Sequence, residues 1–223
     1  MIHVLICDDH QIVRQGIKQI LADAAQVADG PQAAGLEPIE VVAEASTGAD
    51  TLACVRAGGI DVVLLDIAMP QRDGLDILRQ LKSENPRLPV LMLSTYPDRQ
   101  YAVRSLKLGA AGYLNKSADS AELIEAVRKV ARGKLFITPS VAELLAAALG
   151  TEGDDSTPIH ERLSHREYQV FRLLAAGRSV GEIAEQLVLA PNTVSTYRAR
   201  ILEKTGVRND VELALFAVRQ DIV

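Results

Sequence analysis

A chain of 223 residues with a hydrophobic fraction of 48% and a charged fraction of 24% has the composition of a folded protein with one large or two ordinary domains. The net charge of −5 argues against a general nucleic-acid coat protein. No apolar run approaches the roughly 20 residues that a bilayer requires, and no cleavable leader is evident, so we expect a cytoplasmic protein without a membrane contact. Two cysteines, Cys7 and Cys54, provide neither a disulfide framework nor a zinc-binding spacing.

The first part of the chain alternates short aliphatic runs with longer segments of helical periodicity, which is typical of βαβ units. The five predicted strands are Ile2–Cys7, Glu40–Ala45, Asp61–Asp66, Val90–Ser94 and Ala111–Leu114. The five predicted helices are Gln11–Ala24, Gly48–Ala57, Gly74–Glu84, Asp98–Leu108 and Ser120–Arg132. The third and fourth strands are apolar throughout, as expected where helices cover both faces of a sheet. The predicted fold is therefore α/β, a (βα)5 doubly wound parallel sheet.

Two further stretches connect the predicted elements. Residues Ala25 to Pro38 contain two glycines and two prolines, so we predict an exposed loop that is long for its kind, either a simple insertion or a partner surface. After Gly133 a helix is predicted at Val141–Leu149, and the polar, acidic stretch Gly150–Thr157 follows it.

The remaining residues contain no strand signal, and four short helices are predicted there. They are Ser164–Ala176, Val180–Leu187, Pro191–Thr205 and Asp210–Gln220. We therefore predict a first domain over 1–132, a linker with one helix over 133–160, and a small all-α domain over 161–223.

Polar residues stand at the carboxyl ends of the predicted strands, where open parallel sheets bind ligands. Asp8 and Asp9 end the first strand, Asp66 the third and Ser94 the fourth, and Lys116 follows the fifth. Three converging carboxylates repel one another unless a cation joins them, and oxygen ligands suit Mg²⁺. Asp66, alone at the tip of a central strand, is the best candidate for a nucleophile toward phosphorus. The ammonium and hydroxyl groups would stabilise the transferred phosphoryl group.

Residues 1–132 also carry motifs of a known family. These are Cys7-Asp8-Asp9-His10, Asp66-Ile67-Ala68-Met69-Pro70 with Gly74, Ser94, and Gly112-Tyr113-Leu114-Asn115-Lys116. In them the chain resembles the receiver domains of two-component response regulators. The resemblance implies a phosphoacceptor at Asp66, a direct Mg²⁺ ligand at Asp9, a Mg²⁺ contact through water at Asp8, and a carbonyl ligand at Ala68. It further implies a switch hydroxyl at Ser94, an inward-turning switch aromatic at Tyr113, and a phosphoryl-binding lysine at Lys116.

The last domain contains a predicted helix-turn-helix, because the short turn Val188-Leu189-Ala190 separates its second and third helices. Helical geometry turns one side of the third helix toward the core, namely Val194, Ile201, Leu202 and Thr205. The opposite side presents Ser195, Thr196, Ala199, Arg200 and Glu203.

The predicted outer face suits a DNA groove, because short polar side chains allow a close approach to base edges. Arg200 is the strongest base-reading candidate, since an arginine can bond guanine with two hydrogen bonds. Thr193 and Lys204 are better placed for phosphates. Arg198 falls on the core side, so its charge serves either DNA or an internal carboxylate.

The segments Leu163-Ser164-His165-Arg166-Glu167 and Thr193 to Val207 resemble LuxR-type DNA-binding domains. With the receiver, this identifies the chain as a member of the NarL/FixJ-like response regulators. The resemblance implies a transcriptional regulator that is phosphorylated by a sensor histidine kinase with Mg²⁺ and binds double-stranded promoter DNA. It also implies a homodimer in the phosphorylated state, contact with RNA polymerase, and no enzymatic activity beyond its own phosphorylation and dephosphorylation. Val211, Leu215 and Val218 on the last helix are either a dimerisation face or core.

Two other hypotheses stay open at this point. The first is an enzyme with an aspartyl nucleophile, such as a small phosphatase, although that class carries a general-acid aspartate where Ala68 stands. The second is a receiver whose helical domain binds protein, or binds DNA without control by phosphorylation.

Overall fold

The computed structural model describes residues 1–28, 37–69, 73–95, 98–149 and 163–219. The chain divides into two units, Met1–Gly153 and Asp154–Val223. Among the described helices, none combines the length and apolar character that a membrane crossing requires.

A five-stranded parallel sheet lies at the centre of the first unit. Its strands are β1 Ile2–Cys7, β2 Ile39–Ala45, β3 Val62–Asp66, β4 Val90–Ser94 and β5 Gly112–Asn115. They are ordered β2-β1-β3-β4-β5, and every neighbouring pair is parallel. The central strands β3 and β4 are buried along their whole length. The predicted (βα)5 fold is confirmed, with each strand boundary within one residue of its prediction.

Helices cover both faces of this sheet. They are α1 Gln11–Ala28, α2 Gly48–Ala57, α3 Gly74–Glu84, α4 Asp98–Lys107 and α5 Ser120–Ala131. One apolar cluster joins α2, α3 and α4 to the sheet, and a second joins α1 and α5 to the opposite face. Asp73 and Asp119 begin α3 and α5 by accepting hydrogen bonds from backbone N–H groups of the first turn, at 2.9 and 2.8 Å. These caps place each helix start beside the carboxyl edge of the sheet.

The predicted loop from Ala25 to Pro38 needs a correction, because α1 continues to Ala28. No glycine or proline occurs between Gly16 and Gly30, so the sequence contains no helix-breaking residue that would end α1 at Ala24. The rest of that prediction, residues 29–36, lies outside the described residues, as does the acidic stretch Gly150–Thr157.

The chain that follows α5 packs onto the first unit. The Phe136 N–H donates to the carbonyl of Ala111 at 2.8 Å, and Phe136 forms a parallel bridge with Gly112 at the edge of β5. Helix α6, Pro139–Leu149, then buries Val141 in the cluster that holds Tyr113. A Cβ on residue 112 would lie 2.8 Å from the Phe136 carbonyl oxygen. The edge strand and the start of the predicted linker are therefore in direct contact.

The second unit, over its described residues, is all helical. Its helices are α7 His165–Ala175, α8 Val180–Leu187, α9 Pro191–Thr205 and α10 Asp210–Arg219, as the sequence predicts to within one residue. They enclose a core that includes Phe171, Ile183, Val194, Ile201 and Leu213. Proline begins α9, where its missing N–H costs no helical hydrogen bond.

Candidate functional site

The carboxyl edge of the sheet brings together a group of ionisable side chains. Cys7 of β1 pairs with Leu65 of β3, so the residues that follow them, Asp8 and Asp66, are neighbours. Both are buried, with 0% and 1% of their surface exposed. The Lys116 ammonium lies 2.5 Å from Asp8 Oδ2 and 2.9 Å from Asp66 Oδ1. One cation therefore joins two buried carboxylates at the tips of the neighbouring strands β1 and β3.

The remaining oxygens in this pocket fit a hard cation. Asp9 Oδ1 and Asp66 Oδ2 are buried without a hydrogen bond. Single ligand atoms from Asp8, Asp9, His10 and Asp66 all lie within 4.8 Å of one another. Buried polar atoms are normally satisfied, and three carboxylates facing one ammonium leave a net negative charge. The donor set is thus suited to Mg²⁺, which prefers carboxylate oxygens.

The electrostatics of the pocket agree with this fit. Burial raises the pKa of Asp66, Lys116 opposes that shift, Asp8 adds to it, and the pKa stays above its usual value. Burial lowers the pKa of Lys116, but the charges and hydrogen bonds of Asp66 and Asp8 outweigh burial and raise it. Lys116 is therefore held as a cation, while the ionised form of Asp66 is destabilised by its surroundings.

The other predicted receiver residues surround this pocket or lie behind it. Ser94 ends β4 and is buried, and the Lys116 N–H donates to its carbonyl at 2.7 Å. Tyr113 is turned inward, 1% exposed, in one cluster with Tyr101 and Val141. The Ala68 backbone N–H donates to the Asp66 carboxylate.

In the second unit, the predicted outer face of α9 is exposed. Its members are Ser195, Thr196, Ala199, Arg200 and Glu203, while Val194 and Ile201 are buried. Thr193 is half-buried at the start of the helix. This polar face, with Arg200 near its centre, is therefore not buried in the core of the second unit.

Two cations of α9 have partners inside the unit. Arg198 Nε donates to both oxygens of Asp210, at 2.8 and 3.1 Å, which is the internal-carboxylate alternative left open by the sequence. Lys204, predicted for DNA phosphates, instead donates to Glu167 Oε2 at 2.6 Å. Neither partner is close in sequence, so helical geometry alone does not predict these pairs.

Each of the two units matches a known protein family. Residues 4–128 match the family model described as response regulator receiver domain, and residues 161–217 match the model of bacterial regulatory proteins of the luxR family. The chain belongs to the LuxR-type response regulators. The predicted family is confirmed.

Similar proteins and solved structures match this chain along nearly its whole length. GacA of Pseudomonas aeruginosa is 38% identical, covering 100% of this chain and 98% of that protein. UvrY of Escherichia coli K12 is 35% identical, with coverage of 100% and 96%. RcsB of Salmonella enterica serovar Typhimurium, solved bound to promoter rprA in the presence of the phosphomimetic BeF3−, is 26% identical. The structural match covers 96% of this chain and 97% of the RcsB chain, with a TM-score of 0.56.

Two residues around the site were assigned no role from the sequence, although Gly74 is part of the receiver motif. Arg14 on α1 donates from Nη1 to the Asp8 carbonyl at 2.8 Å and from Nε to Glu44 at 3.2 Å. Gly74 lies so close to Asp66 that a Cβ there would be 2.2 Å from the Asp66 carbonyl oxygen. The only sequence signal for Arg14 is its spacing from the aspartates, since its partner Glu44 lies far along the chain on strand β2.

Glu167 ties α7 of this response regulator to α9. Its carboxylate accepts from the Ser164 N–H at 2.7 Å, and its own N–H donates to Ser164 Oγ at 3.3 Å, forming a capping box. Burial raises the pKa of Glu167, but hydrogen bonds from Lys204 and Ser164 outweigh burial and hold it below its usual value. The helix start and the lysine therefore both stabilise the ionised carboxylate.

We expect the second unit to lose stability in acid through Glu167. A lowered folded-state pKa gives stability that is present above the unfolded value of about 4.3 and is lost as the pH falls through the folded value. In the intact protein, the protection of α7 amides against hydrogen exchange, corrected for intrinsic exchange rates, should therefore decrease as the pH is lowered. Glu167→Gln should remove most of this decrease, whereas Glu203→Gln, at an exposed position of α9, should not. Equal loss in both variants would contradict the assignment.

Proposed function

We propose that this response regulator accepts a phosphoryl group on Asp66 from a sensor histidine kinase and thereby controls the binding of its helical unit to promoter DNA. The observation that carries the proposal is the state of Asp66. It is buried at the tip of a central strand, is paired through Oδ1 with Lys116, and keeps Oδ2 without a hydrogen bond. That arrangement leaves Oδ2 free to bind the cation, while Oδ1, beside the Lys116 ammonium, is the oxygen placed to attack phosphorus.

The proposed chemistry is a phosphoryl transfer in which this chain supplies the acceptor. An Asp66 oxygen forms a bond to phosphorus, and the bond from phosphorus to the donor nitrogen of the kinase breaks. Lys116 is positioned to offset the charge of the transferred oxygens. Mg²⁺, held by Asp9, Asp66 and the Ala68 carbonyl with Asp8 acting through water, would supply the remaining positive charge. The chain promotes only its own phosphorylation and dephosphorylation.

The proposed signal passes from the pocket to the linker through the core. Ser94 ends the strand beside Asp66, and Tyr113 lies one strand further toward the sheet edge. We assign Ser94 and Tyr113 the roles of switch residues. Because Tyr113 and Val141 belong to one buried cluster, a repositioned tyrosine would alter the packing beneath α6. The linker helix is thus the element through which phosphorylation would act on the helical unit.

DNA contacts are assigned to the exposed face of α9. Arg200 would read a base edge, Ser195, Thr196 and Ala199 would allow close approach, and Thr193 would contact a phosphate. Lys204 and Arg198 take second rank because each is paired within the unit. RcsB, similar along almost the whole chain, has been solved with promoter DNA.

The remaining partners follow from this proposal. Val211, Leu215 and Val218 are exposed on α10 rather than buried in the core, which suits a homodimer of the phosphorylated protein. A promoter-bound regulator would also be placed to contact RNA polymerase. Because its DNA target and kinase output are cytoplasmic, we place the protein in the bacterial cytoplasm.

The proposed DNA binding is tested in two steps. Genomic DNA fragments are first selected with the acetyl phosphate-treated protein, and the affinity of each variant for these fragments is then measured. Arg200→Ala should weaken specific binding by about 1–3 kcal/mol, because one two-hydrogen-bond base contact is lost, and should relax the preference at one position. Arg172→Ala removes the same charge from the exposed side of α7 and is the matched control. Unchanged affinity and preference in Arg200→Ala would overturn the assigned face. Equal affinity with and without acetyl phosphate would refute control by phosphorylation.

A further inference from the structure

His10 stands at the mouth of the acidic pocket, directly after Asp9 and before α1. Its imidazole Nδ1 lies 2.8 Å from Asp9 Oδ1, without the geometry of a hydrogen bond to it, and 3.3 Å from Asp8 Oδ1. Its backbone N–H donates to Asp8 Oδ1 at 2.8 Å, so the loop itself is held in place. The side chain is 66% exposed. An imidazole nitrogen therefore faces the same space as the unsatisfied carboxylate oxygens.

The spacing of these atoms is that of neighbouring ligands on one metal ion. In an octahedral sphere with bonds of about 2.1 Å, adjacent ligand atoms are about 3 Å apart. The two distances from His10 Nδ1 fall on either side of that value. Asp66 is only 1% exposed, and its Oδ2 atom has no hydrogen bond. This buried, unsatisfied oxygen independently indicates a missing ligand in this space. The position of Nδ1 is thus compatible with a further protein ligand of one ion in this space.

We propose that His10 is a nitrogen ligand of the cation in this pocket and raises the affinity of the pocket for Mn²⁺ relative to Mg²⁺. Mg²⁺ demands oxygen ligands and retains its waters, whereas Mn²⁺, which also takes carboxylate oxygens, accepts an imidazole nitrogen more readily than Mg²⁺ does. Coordination through Nδ1 places the ring proton on Nε2, and the exposure of the ring allows that group to be solvated. The inference rests on the proposed function only in using the same cation pocket.

The test is pulsed EPR of Mn²⁺ bound to the full-length chain without a histidine tag. We expect the echo modulation of a directly coordinated imidazole ¹⁴N, replaced by the ¹⁵N pattern in protein made with ¹⁵N-histidine. His10→Ala should lose the modulation and bind Mn²⁺ about 10-fold more weakly, while Mg²⁺ affinity changes by less than about 3-fold. The matched control is His3→Ala, because His3 Nδ1 lies 3.4 Å from a single carboxylate, that of Asp61.

The outcomes separate this inference from the proposed function. Bound Mn²⁺ without nitrogen modulation, or modulation that survives in His10→Ala, overturns the role of His10 and leaves the cation pocket intact. Mn²⁺ binding that is insensitive to Asp9→Asn overturns both the role of His10 and the pocket as the cation site. Equal losses of Mn²⁺ and Mg²⁺ affinity in His10→Ala would show a general effect on the loop and would refute metal selection.

Discussion

Asp66→Asn is expected to abolish phosphoryl transfer to this response regulator, both from acetyl phosphate with Mg²⁺ and from a histidine kinase. An amide cannot form the acyl phosphate. The other buried carboxylate beside Lys116, that of Asp8, already has both oxygens engaged, Oδ1 by the His10 N–H and Oδ2 by Lys116. Asparagine has nearly the same shape as aspartate, and Lys116 keeps its contact with Asp8. The fold should therefore persist, as circular dichroism will check.

Intact-protein mass spectrometry measures the result as gain or loss of an acid-labile phosphoryl group. Asp76→Asn is the control, because that carboxylate is exposed on α3 and paired with Arg79. It should leave the mass gain unchanged. The Asp66→Asn protein should also bind DNA identically with and without acetyl phosphate. A mass gain that persists in Asp66→Asn would place the phosphoryl group elsewhere and refute the proposed acceptor.

Gly74→Ala is expected to lower the free energy of unfolding of the first unit by about 3 kcal/mol, the largest stability effect that we predict for a single methyl group. The new Cβ would lie 2.2 Å from the Asp66 carbonyl oxygen and 2.8 Å from the Ile67 Cα, both of them backbone atoms. Backbone cannot move aside as a flexible side chain can. The end of β3 would be displaced, so we also expect slower phosphorylation of Asp66.

Two other glycines provide a graded comparison in urea unfolding followed by circular dichroism. Gly112→Ala brings a Cβ to 2.8 Å from the Phe136 carbonyl oxygen and 2.9 Å from the Leu91 side chain, so a smaller cost of about 1–2 kcal/mol is expected. Gly16→Ala meets nothing within 4 Å in the exposed part of α1 and should stabilise by about 0.5–1 kcal/mol. A Gly74→Ala cost no greater than that of Gly112→Ala would contradict the steric argument.

The fold was predictable because each of its signals is local. The apolar run Val62–Leu65 predicts a strand that is buried on both faces, and Pro191 marks a helix start that the structure confirms. The end of α1 was not predictable to the residue, because no glycine or proline stands between Gly16 and Gly30 to mark where the helix stops. Element type follows from periodicity, whereas element ends depend on what the last turn meets.

The sequence by itself determined the composition of the pocket. Parallel strands end at one edge, so Asp8, Asp66 and Lys116, each placed at or after a strand end, had to converge once the sheet formed. The solvent face of α9 followed in the same way from helical geometry, which separates Arg200 from Val194 and Ile201.

Only the tertiary structure decided which charges are paired. Lys204 meets Glu167 because α7 packs against α9, and Arg198 meets Asp210 because α10 begins beside α9. It also decided that Phe136 bridges to Gly112 at the sheet edge and that His10 Nδ1 faces the pocket. Such contacts join residues through packing rather than through repeat spacing. Ion-pair partners depend on distances of a few ångströms between separate elements, which a periodic pattern does not specify.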